Sequence, residues 1–133
     1  MALFRCLGYR LSTQEITLNY ESGYVNWDAT RWGTATKDLT DAVRPIQIKL
    51  YSQRVLGSAT WAGNCTTKLY LYNQSTNQWD FIDSVKDTTK IIDVKAITKD
   101  KFYTKMKIEV GGTSSNGSVN HKGYAKLLKY YVK

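Results

Sequence analysis

The chain has one proline, one histidine, two cysteines and no long apolar run in 133 residues. With His121 as the only histidine, any Ser-His-Asp or Cys-His arrangement must be built on that residue, and it lies in a Gly/Ser/Asn-rich stretch that reads as an exposed loop. Cys6 and Cys65 are far apart in a chain too large to need stapling, so both are read as free thiols. No window approaches the ~18 apolar residues of a membrane span. Arg5 and Arg10 interrupt the apolar stretch near the start, so no secretion signal is expected, and synthesis in the cytoplasm follows. HExxH, GxxxxGK, GxGxxG and paired CxxC are absent, which leaves zinc hydrolysis and nucleotide chemistry unsupported. Eleven acidic residues show no spacing that singles out a glycosidase pair. No enzyme is expected.

The lone Pro45 and the lack of a Ser/Gly linker or charge block point to a single domain over residues 1–133. What is abundant is alternation. Residues 68–82 hold two alternating runs around a polar turn at 73–77, the pattern of a β-hairpin with Leu69 and Leu71 on one face and Tyr70 and Tyr72 on the other. Residues 45–51 alternate with Ile46, Ile48 and Leu50 inward, and Pro45 fits the first position of a strand. Further strands are expected over 3–11, 15–20, 90–97 (Ile92 and Val94 inward) and 102–110. The closing strand, 124–133, carries a phase break at Leu127 and Leu128 that predicts a β-bulge. Loops are expected over 24–33, 58–64 and 111–123, and a helical turn or tight bend over 38–42. About eight strands with no amphipathic helix make an all-β antiparallel sandwich or jelly roll.

Nineteen basic residues give a formal charge of +8, an attraction for polyanions. In 102–110 the alternation places Phe102, Met106, Ile108 and Val110 inward and Tyr103, Lys105, Lys107 and Glu109 outward, either as an ordinary solvated sheet face or as a polyanion site. Tyr103, Lys105 and Lys107 also satisfy, locally, the basic-plus-aromatic requirement of single-strand binding, but no nucleic-acid motif is present and that partner is not expected. Ten tyrosines and four tryptophans supply stacking surfaces for sugar rings. Tyr24, Trp27, Trp32 and Trp61 fall in loop-like stretches. Trp27 and Trp32 either plug the end of a sandwich or meet a ligand, Trp61 is the preferred contact residue, and Trp79 is expected in the core. A structural calcium site would have to draw on Asp28, Asp38 and Asp41, which lack the dense acidic pattern of a calcium loop, so no cofactor is assigned. The sequons at Asn64, Asn73 and Asn116 serve as loop markers.

The hairpin over 69–80 and the closing strand over 123–132 resemble the galactose-binding-like jelly-roll modules of bacterial surface proteins and bacteriophage virion proteins, and residues 27–34 are similar in tone to an early loop of such modules. That resemblance implies binding, often of sugars, with site loops at one end of the sandwich, or assembly into larger structures. Together with basic charge and no export signal, it yields the expectation of a non-enzymatic accessory bacteriophage protein, decorating a capsid or belonging to a tail or fibre. Its expected partners are other virion proteins and a cell-surface glycan, in an oligomeric assembly. The alternative is a carbohydrate-binding module or lectin from a larger secreted protein.

Overall fold

The computed structural model describes residues 9–26, 30–115 and 117–133. Among them the segments are β1 (Arg10–Ser12), β2 (Ile16–Glu21), β3 (Val25–Asn26), β4 (Thr30–Leu56), β5 (Trp61–Ala62), β6 (Thr66–Asn73), β7 (Gln78–Lys86), β8 (Thr89–Asp93), β9 (Tyr103–Ser115) and β10 (Ser118–Val132). All pairings are antiparallel. β1, β2 and β3 lie successively along β10, opposite residues 130–132, 122–127 and 118–119, so they are three pieces of one edge.

The strand β4 serves two sheets. Thr30 to Asp38 pair with β9, whereas Val43 to Leu56 pair with β10 and, over 47–51, with β8 as well. One sheet therefore runs from the broken edge through β10 and the second half of β4 to β8; the other runs from the first half of β4 through β9 and β6 to β7. With the edge counted once, β4 twice and the two-residue β5 left aside, eight strands remain, ordered 1-8-3-6 in one sheet and 2-7-4-5 in the other. This is the jelly-roll connection, and the chain is the all-β antiparallel sandwich that the resemblance to galactose-binding-like modules implied.

The core follows the alternation. Ile48 and Leu50 from β4, Leu69 and Leu71 from β6, Met106, Ile108 and Val110 from β9, and Ala125 and Leu127 from β10 are all fully buried between the sheets. Removing these side chains from water is the main favourable contribution to the fold. The hairpin over 68–82 forms as β6 and β7, with Tyr70 and Tyr72 on the opposite face from the leucines. Asn73 anchors its turn: the buried side-chain oxygen accepts from the amides of Ser75 (2.9 Å) and Thr76 (3.3 Å), and Asn77 takes a left-handed φ of 56°. The bulge expected at Leu127 and Leu128 is present as a register shift between Leu127 and Lys129.

Several expectations are corrected. Of the two forms expected for residues 38–42, the bend is found and the helical turn is not. These residues are a bulged corner within β4, where Leu39 packs on the core and the ladder skips from Asp38 to Val43. Residues 111–123 are not a long loop, because β9 continues to Ser115 and β10 begins at Ser118, with Gly117 at φ 114° in the turn. Weak local β-propensity in that Gly/Ser-rich stretch is overridden by pairing with β4 and the broken edge. His121 is consequently buried in β10. The stretch 24–33 contains β3 and the start of β4, and 58–64 contains β5. The strand expected over 90–97 ends at Asp93, and much of that expected over 3–11 lies outside the described residues.

Candidate functional site

The outer face of the sheet made by β4, β9, β6 and β7 concentrates aromatic and basic side chains. Side chains that point away from the core stand in rows across the strands, spaced by the two-residue repeat of about 7 Å. One row is Thr34, Glu109 and Lys68; the next is Thr36, Lys107, Tyr70 and Phe81; the next is Asp38, Lys105, Tyr72 and Trp79. Trp32 stands at the upper end, paired with Gly111. That glycine matters, because a Cβ there would meet the Trp32 ring at 2.9 Å and the backbone of β4.

These side chains are mutually ordered. Tyr70 meets Phe81 edge-on at 5.6 Å, and Tyr72 meets Trp79 edge-on at 5.2 Å. The Lys107 ammonium sits between two rings, 4.8 Å from the centroid of Tyr70 and 4.7 Å from that of Trp79. Lys105 lies 5.0 Å from Tyr72 and Lys68 lies 4.6 Å from Trp32. Such cation–π contacts hold a flexible lysine in one place on an exposed surface. Partial burial first, and then the Glu109 carboxylate that accepts its hydroxyl hydrogen, raise the Tyr70 phenol above its ordinary pKa.

The residues singled out from the sequence separate into three places. Trp32 (44% exposed), Lys105 and Lys107 share the face just described. Trp61 (55% exposed) and Tyr24 lie elsewhere, at the end of the sandwich. Trp61 is in β5 beside Gly63, and Tyr24 lies against Gly57. Tyr103 is corrected: it is fully buried, and a bulge between Tyr103 and Lys105 turns it inward, so it presents no contact surface. Burial, followed by the neighbouring Asp80, raises its phenol pKa strongly. Trp27 lies outside the described residues, as do Asp28 and Cys6. Trp79 is half-buried on the outer face rather than in the core. Sequence reading missed Lys68, Tyr70, Tyr72, Trp79 and Phe81 as members of one surface. The alternation of β6 was a usable signal for the tyrosines, but the pairing of β6 with β9 was not visible.

Reactive groups sit away from this face. Cys65 is a buried free thiol, raised in pKa by burial, and accepts a 3.2 Å hydrogen bond from the Ser52 hydroxyl. Buried His121 is lowered in pKa chiefly by burial. Among the described residues no cluster of three or more His, Cys, Asp or Glu is placed to hold a metal ion, and Asp38 and Asp41 are exposed on the β4 corner. The arrangement of rings and ammonium groups on the outer face suits adhesion to a ligand.

No protein-family model matches the chain, and no curated protein matches it. Among solved structures, it is similar to the Yersinia pseudotuberculosis-derived mitogen, at 12% identity over 92% of this chain and 88% of that one, with a TM-score of 0.47. It is similar also to the Caldicellulosiruptor saccharolyticus module CBM27-1 in complex with mannohexaose, at 8% identity over 90% and 81% of the two chains and a TM-score of 0.49. The decameric BFDV capsid protein is a third, at 10% identity over 93% and 99%, with a TM-score of 0.46. At such scores these are resemblances only, and the jelly-roll assignment rests on the strand pairing of this chain.

Proposed function

We propose that the protein is a non-enzymatic binding component of a bacteriophage virion, decorating a capsid or forming part of a tail or fibre, and that it attaches to a cell-surface glycan. One observation carries the glycan part: Trp32, Tyr70, Tyr72, Trp79 and Phe81 share one outer sheet face with Lys68, Lys105 and Lys107. Aromatic rings offer apolar area to sugar C–H groups, while phenol, ammonium and carboxylate groups meet hydroxyls. The virion setting is supported by the basic charge of +8 and by a compact sandwich with a broad exposed face.

Two measurements test the reading. Purified protein is applied to a glycan array and to polysaccharide from the host cell surface; binding that a Tyr72→Ser/Trp79→Ser variant loses while keeping its fold is expected. Mass spectrometry of purified phage particles should find the chain in stoichiometric amount. No glycan bound, or particles that lack the chain, would overturn the corresponding half of the proposal.

A further inference from the structure

We infer that the ligand of this face is an acidic polysaccharide, a hexose chain bearing carboxylate or sulfate groups; this rests on the glycan reading above and specifies its chemistry. The argument begins with what covers the rings. Lys68 lies over Trp32, Lys105 over Tyr72, and Lys107 over both Tyr70 and Trp79. Phe81 is engaged edge-on by Tyr70. One face of each of Trp32, Tyr70, Tyr72 and Trp79 therefore meets an ammonium group, and a neutral sugar or a nucleobase stacking on that face would have to displace a lysine. An anion needs no displacement, because ammonium groups already held by the rings present their remaining N–H donors, with less side-chain freedom left to lose on binding.

The second step separates polyanions. Glu109 stands beside Lys68 across the strands, and Asp38 beside Lys105, so carboxylates are interleaved with the ammonium groups. A phosphodiester chain carries a charge on every nucleotide and places few donors along its backbone, so it meets these carboxylates as repulsion. A uronate- or sulfate-bearing glycan alternates anionic groups with hydroxyls, and the hydroxyls donate to Glu109 and Asp38 while the anions accept from Lys68, Lys105 and Lys107.

The test is calorimetric titration of the whole protein with four probes: polygalacturonate for carboxylates, heparin for sulfates, dextran as a neutral chain, and an oligothymidylate. Polygalacturonate or heparin should bind, dextran should bind at least roughly tenfold more weakly, and affinity should fall as salt is added. Lys107→Gln should weaken acidic-glycan binding roughly tenfold, the loss of one charge-assisted hydrogen bond. Lys49→Gln, on the outer face of the other sheet, should leave it unchanged, and both variants should retain the wild-type melting temperature within a degree or so. Dextran bound as tightly through the same face would overturn this inference while leaving the glycan reading intact. Oligothymidylate bound more tightly than either acidic glycan would also overturn it. Failure of every glycan to bind would overturn both.

Discussion

The hydroxyl of Tyr103, a fully buried side chain of β9, donates to the Asp80 carboxylate of β7 at 3.3 Å. The same carboxylate oxygen accepts from the Asn73 side-chain amide at 3.0 Å, so one acidic group ties the hairpin turn to the neighbouring strand. Tyr103→Phe keeps the ring and removes only the donor. It should destabilise the fold by about 1 kcal/mol, measured by urea unfolding. A loss of affinity for glycan at unchanged stability would instead make Tyr103 a contact residue.

Asn73 supports the hairpin through three side-chain hydrogen bonds, to Ser75, Thr76 and Asp80. Asn73→Ala removes these part-buried hydrogen bonds from the turn and should cost roughly 1–2 kcal/mol in thermal or urea unfolding. At Asn77, where φ is 56°, Asn77→Gly should be neutral and Asn77→Val should cost about 1–2 kcal/mol, because a β-branched residue resists the left-handed region.

Gly111→Ala places a methyl group against the backbone of Arg31 and Trp32 and the Trp32 ring. Some part of β4 has to move. The expected cost is roughly 1–3 kcal/mol, together with quenched or shifted Trp32 fluorescence as the ring leaves its position over β9. An unchanged melting temperature and spectrum would show that the close approach relaxes freely.

His121 makes stability depend on pH. Burial is the largest cause of its lowered pKa; Asp87 acts in the opposite direction, and Arg54 adds to the lowering. The unfolded chain takes up a proton near pH 6.5 and the folded chain only at lower pH. Stability from this group is therefore complete above pH 6.5 and declines as the pH falls towards the folded value, with a limiting slope of about 1.4 kcal/mol per pH unit. Urea unfolding at pH 7.5 and 5.5 should show this loss, and His121→Gln should reduce the difference between the two.

Local alternation made most strands legible. Ile48 and Leu50, Leu69 and Leu71, and Ile108 and Val110 occupy the inward positions that their spacing indicated, and the Leu127 bulge was visible as a break in phase. Tyr103 was not legible, because a single extra residue between it and Lys105 inverts its facing and no Gly or Asn marks the spot. The stretch from Gly111 to Gly123 reads as loop by composition. Its extended form comes from partners distant in sequence, Trp32 opposite Gly111 and Tyr20 opposite Gly123. The aromatic and basic face was illegible for the same reason. Tyr70 and Lys107 are separated widely along the chain, and only the pairing of β6 with β9 sets them side by side.

The insertion of β10 between the broken edge and the second half of β4 has a consequence for biogenesis. Until β10 has left the ribosome the broken edge lacks its partner strand and the second half of β4 has only β8 beside it, so that sheet closes after translation of the segments that precede β10. Non-local closure of this kind is slow. In the interval the greasy side of β4 stays open to chaperones and to other nascent copies, and a frameshift removing β10 should yield an aggregate instead of a smaller folded protein.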